Sequence, residues 1–374
     1  MAPSRSTGIK PRSPGSLLVD AETQLQVGAV DEAIALTTQA LESTGSGGDH
    51  ELRALNLLGI LHVEAGEIDE ARHFLERAVK MDEDGMLHER IGGGPEKFLL
   101  LAQLSPEGGQ DSVRWYERGA ATLRRQLQAL GDATNATRAQ QASIDEKQTR
   151  LGGVLCAVAE VYMTDLSWEQ DAEQRCESLV TEAMLIAPQS AETWQTVANV
   201  RISQERVHEA KEALRRGLNL WQHLPPEDPA VPEFPTRVGL ARLLLETEML
   251  DEALLVLERL VSDDDQSVEA WYLGGWCLFI MGQNQRQHRD QNTTDDGWHA
   301  TWETARKWLA QCLKLYARLE YEDERLGEHA VELFQDINKE LGEMPQGEED
   351  SWEDSDSQDD GLSVDDDNDE EMHD

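Results

Sequence analysis

Residues 55–78 read LNLLGILHVEAGEIDEARHFLERA. Leu55, Leu58, Gly59 and His62 fall on one face of a helix, because side chains three or four positions apart stand above one another. Gly66 interrupts that pattern, and Ala71, Leu75 and Ala78 begin a second apolar stripe. The segment therefore predicts two amphipathic helices joined by a tight turn. A small side chain, here Ala71, is needed where the two helices cross closely.

The same arrangement recurs along the chain. Ala33, Ala71, Ser112, Cys176, Ala210, Ala253 and Ala305 each stand near the start of an amphipathic segment, four residues before a Thr, Leu, Tyr or Val. Trp194-x2-Val197-Ala198-x2-Arg201 is followed by Ala210, Leu214 and Gly217; Leu240-Ala241-x2-Leu244 by Ala253, Leu257 and Leu260; and Trp271-x2-Gly274-Gly275-x2-Leu278 opens another unit. Stacked helical hairpins follow from such a period, since each unit buries its apolar face only against its neighbours.

The pattern resembles the tetratricopeptide signature W-x2-L-G-x2-Y…A-x3-F, with substitutions of similar size, over almost all of residues 17 to 341. The resemblance implies an all-α, right-handed tetratricopeptide-repeat superhelix of about seven helical hairpins with a C-terminal capping helix. That cap falls near Arg325 to Leu341, where Ala330, Leu333, Phe334 and Ile337 share one side. Two units deviate. The first helix of the third, around Phe98 to Gln103, lacks the expected small residue, and the fourth, with Ala159, Tyr162, Cys176, Val180, Ala183 and Pro188, holds extra residues between its helices.

Composition suggests three regions: a disordered arm over 1–16, one elongated repeat domain over 17–341, and a disordered acidic tail over 342–374. Insertions are expected near 131–150, where a polar run lengthens two helices or loops out, near 221–235, where prolines forbid a continuous helix, and near 283–300, a polar stretch expected to project as a loop.

The charge balance is 33 Lys and Arg against 74 Asp and Glu, a net of −41. Residues 343–374 carry 16 acids and no base, so about 25 negative charges belong to the preceding body. Such a surface repels nucleic-acid phosphate and lipid headgroups and attracts cationic protein. Cys156, Cys176, Cys277 and Cys312 are scattered singly in apolar contexts and read as small buried thiols. No apolar stretch approaches the roughly 20 residues of a membrane span. No leader-like segment opens the chain, and an intracellular, soluble, monomeric protein is expected.

The motifs of phosphate-binding loops, nucleophile elbows and dinucleotide folds are missing from the sequence. His288, His299, Asp290, Asp295 and Asp296 lie close in sequence but lack metal-ligand spacing. The chain reads as a binding protein with no cofactor and no metal, not an enzyme.

In tetratricopeptide arrays the first helix of each pair lines the concave groove. Transferring those positions gives Asn56, Ile60 and Glu64; Glu192, Gln195 and Asn199; Arg242 and Glu246; and Glu269, Tyr272, Trp276 and Phe279. The helix over 269–281 is apolar nearly all round, so it is covered by the cap or the 283–300 insertion, or else forms an aromatic client pocket. Arg53, Asn56, Asn199, Arg201, Arg237 and Arg242 do not make the lysine-rich clamp with which some family members hold acidic chaperone tails.

The whole chain resembles the fungal assembly chaperones dedicated to large-subunit ribosomal protein four. The features carrying that resemblance are the Pro/Ser/Arg start, the Gly66-Glu-Ile-Asp-Glu-Ala-Arg hairpin, the Pro188 to Trp194 junction, the proline-rich 224–235 linker and the aspartate-rich end. It implies a cytoplasmic and nuclear chaperone that shields a basic segment of one ribosomal protein, with a nuclear import receptor joining through the client. In that reading Glu64, Glu192, Glu246 and Glu269 pair with client cations, while Tyr272 and Trp276 stack on guanidinium or apolar anchors. A histone chaperone and a scaffold subunit are the alternatives.

Overall fold

The computed structural model describes residues 12–131, 137–288 and 297–343. Among these residues the secondary structure is helical throughout. Seven antiparallel pairs form in chain order: α1 (Pro14–Gln26) with α2 (Val30–Thr44), α3 (Glu51–Glu64) with α4 (Ile68–Met81), α5 (Glu96–Gln103) with α6 (Gly109–Leu130), and α7 (Arg138–Met163) with α8 (Ala172–Ile186). The remaining pairs are α9 (Ala191–Ser203) with α10 (Val207–Asn219), α11 (Phe234–Glu246) with α12 (Leu250–Asp263), and α13 (Val268–Gln287) with α14 (Gly297–Arg318). A last helix, α15 (Glu324–Leu341), packs on α14 and α13 through Ala330, Leu333 and Ile337.

The chain divides into two compact units, residues 1–232 and 233–374. The division falls inside the proline-rich stretch. Pro235 itself belongs to the first turn of α11, where a missing N–H costs nothing.

All seven recurring small residues lie on a second helix and are buried, six near its start and Ala305 two turns into α14. Their role is close approach. A Cβ placed on Gly59 would lie 2.6 Å from Leu75, the residue four positions after Ala71. The hairpin turns also repeat. Gly28 and Gly66 take positive φ, as do Glu205 and Glu248 in the corresponding turns of the fifth and sixth pairs. In each, the next N–H reaches back across the helix end, as Glu67 does to the His62 carbonyl at 2.8 Å and Arg206 to that of Arg201 at 2.9 Å.

The tightest crossing is between α13 and α14. Trp271 meets Trp308 edge-on at 4.8 Å. A Cβ on Gly274 would fall 2.1 Å from the Trp308 ring, and one on Gly282 would fall 2.2 Å from Trp302. Glycine in mid-helix costs about 0.5–1 kcal/mol relative to alanine, and here that cost admits two indoles. Gly274→Ala is expected to destabilise unit 233–374 by about 1–3 kcal/mol through overpacking. Gly153→Ala, on α7 with open space around it, is expected to stabilise by about 0.5–1 kcal/mol. Urea unfolding of the two variants checks the contrast.

Two boundaries differ from expectation, and a third falls to one of two expected outcomes. Pro14 to Ser16 are helical, with Ser13 Oγ accepting from the Ser16 N–H, so the arm is shorter than 1–16. Of the two outcomes expected near 131–150, the longer helix holds from Arg138 onward, where Thr137 and Gln140 form a reciprocal capping box. The stretch expected to loop over 283–300 is α13 as far as Gln287 and α14 from Gly297. Residues 1–11, 289–296 and the tail from 344 lie outside the described residues, with Asp290, Asp295 and Asp296 among them.

Candidate functional site

In unit 1–232 the face of α3 is partly covered by the connection between α4 and α5. Asn56 Nδ2 donates to the Gly92 carbonyl at 2.6 Å. Gly92 has φ 91° and lies so close that a Cβ would stand 2.7 Å from the Arg53 nitrogen. Asn56 therefore holds the protein's own backbone through its amide nitrogen. Ile60 is half-buried and Glu64 is exposed.

That connection is anchored by a buried ion pair. Lys97 Nζ donates to Asp82 Oδ2 at 2.7 Å and to the Gly94 carbonyl at 2.8 Å, while Asp82 Oδ1 accepts from the Leu87 N–H at 3.1 Å. Lys97 is fully buried, and desolvation pulls its ammonium below the usual lysine range against the opposing attraction of Asp82. Arg118 and Thr122 of α6 donate to the carbonyls of Glu83 and Asp84 at 2.7 and 3.0 Å. Glu89 accepts from Lys147 at 2.5 Å, linking the connection to α7. The segment has no apolar period, so nothing in the sequence signalled this fastening.

On α9, Glu192 and Asn199 are exposed and Gln195 is half-buried. Glu192 Oε2 accepts from Ser190 Oγ at 3.1 Å, and Ser190 caps α9. The neighbouring first helix, α7, contributes an acid that sequence reasoning missed. Glu160 accepts from Thr196 Oγ1 of α9 at 3.3 Å. Its side chain reaches solvent, yet crowding by the flanking helices holds its carboxyl above the usual range, with the Thr196 hydroxyl pulling the other way. Cys156 lies beneath; burial pushes its thiol up to about 11, and the negative fields of Glu160 and Glu192 add to that. Glu160 escaped notice because the fourth hairpin fits the repeat poorly, although Ala159 beside it marks the register.

In unit 233–374 Glu246 is exposed. Glu269 is not available in the same way, because its carboxylate forms an ion pair with Arg242. That pairing joins α11 to α13, with Arg242 still exposed. Phe279 is core: it stacks on Trp302 at 5.2 Å and 3°, and the Trp302 indole N–H donates to the Phe279 carbonyl at 3.0 Å. Tyr272 and Trp276 stack at 6.0 Å and are both met edge-on by His329 of α15, whose Nδ1 is 2.8 Å from the Tyr272 hydroxyl. The cap packs against these aromatics, which stay half-buried.

Several bases of the first helices are held internally. Arg53 makes a bidentate contact with Glu22 at 2.7 and 2.8 Å, Arg237 reaches Asp263 at 2.6 Å, and Arg201 pairs with Glu177. Glu64, Glu160, Glu192 and Glu246 form no ion pair among the described residues. Within each unit these open acids suit a lysine- or arginine-rich polypeptide and oppose an anionic one.

The four cysteines are reduced and buried. Burial raises the thiols of Cys277 and Cys312 to about 12. Above the ordinary thiol value of 9.0 the unfolded chain loses protons that the folded chain keeps, so stability falls as pH rises. The contribution is full below about pH 9 and is lost progressively toward pH 12. Alkylation with iodoacetamide at pH 8 is expected to spare all four in the native protein and to modify all four in guanidinium.

Among the described residues no group of three or more His, Cys, Asp or Glu is placed to hold a metal, and no helix is long and apolar enough to cross a membrane.

Comparison with known proteins identifies the family. The tetratricopeptide repeat family matches residues 21–84. A protein of Emericella nidulans named probable assembly chaperone of rpl4 is 47% identical over 336 residues, covering 88% of this chain and 82% of the relative. One of Schizosaccharomyces pombe with the same name is 30% identical over 346 residues, covering 91% and 96%. Among solved structures, the Assembly Chaperone of RpL4 (Acl4), residues 1–338, is 57% identical with a TM-score of 0.69, covering 74% of this chain and 99% of that one. With this identity, coverage and hairpin architecture, the chain belongs to the tetratricopeptide-repeat family of assembly chaperones of RpL4.

Proposed function

We propose that this protein is a dedicated chaperone of the ribosomal protein RpL4, binding it when newly made and shielding a basic segment until assembly. The observation that carries the reading is the identity of 47% and 57% to proteins named for that role, over most of their lengths. The geometry supports it independently. Ribosomal proteins carry cationic extensions meant for RNA, and here Glu64, Glu160, Glu192 and Glu246 stay without an ion pair while Arg53, Arg201 and Arg237 are neutralised internally. Exposed carboxylates accelerate encounter, and a few desolvated contacts supply most of the affinity. Competition by ribosomal RNA for the same cations then releases the client, with no nucleotide or catalytic step. In this proposal the protein acts as a monomer in cytoplasm and nucleus, and any import receptor joins through RpL4.

Affinity purification of the tagged full chain, with identification of the main co-purifying protein, tests the reading. RpL4 is the expected partner. Histones would identify a different basic client, and a set of non-ribosomal subunits would identify a scaffold; either result replaces the proposal.

A further inference from the structure

The cap that packs against Tyr272 and Trp276 leaves another apolar opening in unit 233–374. A cleft of about 410 Å³ lies between the start of α11, the α12–α13 turn and the α14–α15 turn. Phe234, Pro235, Val238, Leu319 and Tyr321 form its apolar wall. Leu319 is 49% exposed and Tyr321 36% exposed, unusual values for two large apolar groups on one short turn.

The backbone fixes that presentation. Glu320, between them, takes φ 48°, and the Tyr321 N–H returns to the Tyr316 carbonyl at 3.1 Å. The turn thus closes α14 by the same hydrogen-bond pattern as the hairpin turns, with a carboxylate where glycine would cost less. The Tyr321 ring is braced by Tyr316 at 6.0 Å.

Acidic side chains outnumber basic ones around the cleft. Glu320, Glu322 and Asp323 stand exposed on one rim, and Asp264 and Asp265 on the other. The two bases at the cleft are occupied: Arg242 by Glu269, and Arg318 by the side-chain carbonyl of Gln266, a contact that ties the rims together. A ligand would meet an apolar floor framed by carboxylates. A second copy of the chain, or the chain's own acidic tail, would bring like charge to those rims. A cationic polypeptide with an apolar anchor is complementary in both respects.

We propose that this cleft seats an apolar side chain of RpL4 flanked by lysine or arginine, with Asp264, Glu320 and Glu322 receiving the cations. This rests on the chaperone reading and adds to it a place where apolar anchoring occurs.

The test titrates full-length RpL4 into the full chain and into two variants, Leu319→Ser with Tyr321→Ser, and Glu320→Lys with Glu322→Lys. The first is expected to bind at least about tenfold more weakly at any salt concentration, with an unchanged melting curve because both side chains are exposed. The second is expected to lose affinity at low salt, the difference shrinking as salt rises. Wild-type affinity in both variants overturns the cleft while leaving the chaperone reading intact. Tighter binding by the Ser variant identifies the acidic tail as the occupant and also overturns it. Failure of the unmodified chain to bind RpL4 removes both.

Discussion

Asp82→Ala is expected to destabilise unit 1–232 by about 3–5 kcal/mol, because it strands a fully buried ammonium. Lys97 would keep only the Gly94 carbonyl, and the Leu87 N–H would lose its acceptor. Replacing both partners, Asp82→Ala with Lys97→Met, removes the buried charge altogether and is expected to recover most of that loss, since a buried pair is worth much less than the cost of breaking it. Denaturant unfolding of the two singles and the double closes the cycle. A loss below about 1 kcal/mol in Asp82→Ala would show that the 82–95 connection is not held by this pair. Hydrogen exchange adds a spatial readout, because the amides from Leu87 to Gly93 are expected to lose protection first in Asp82→Ala.

Glu160→Lys combined with Glu192→Lys is expected to weaken RpL4 binding by about 30- to 100-fold, or about 2–3 kcal/mol at low ionic strength. Both acids stand on adjacent first helices, act together on Cys156, and lack an internal cation. Each reversal removes an attraction and adds a repulsion, and the crowding around Glu160 lessens solvent screening there. Glu212→Lys, an exposed change on the second helix α10, provides the control and is expected to cost less than about threefold. Equal losses from both faces would mean that bulk charge, not the first-helix face, governs binding.

The fold was legible because its determinants are local. Ala33, Ala71, Ser112, Cys176, Ala210, Ala253 and Ala305 mark helix crossings, and a crossing depends on the residue type at one position of each unit. The break at Pro232 and the helix from Arg138 were less legible. A proline-rich stretch is equally compatible with a bend inside one domain, and a polar run such as Gln140 to Gln148 has helix propensity without an apolar stripe to reveal it.

The surface was less legible than the fold, because availability is a property of pairs distant in sequence. Glu269 resembles Glu246 in the repeat, yet Arg242 lies one first helix away and neutralises only Glu269. Phe279 differs from Trp276 by three positions and faces Trp302, while Trp276 meets His329, a cap residue. Asn56 is occupied by a carbonyl 36 residues onward. Repeat position identifies which helix a residue sits on, and the partner that arrives there decides whether it remains open.

Calorimetric titration of purified RpL4 into the full chain across a series of salt concentrations addresses the central claim most directly. The expected result is one-to-one binding whose Kd rises at least about tenfold between about 50 and 300 mM salt, as exposed carboxylates lose their hold on client cations. Undetectable binding, or an affinity that does not change with salt, would contradict the account.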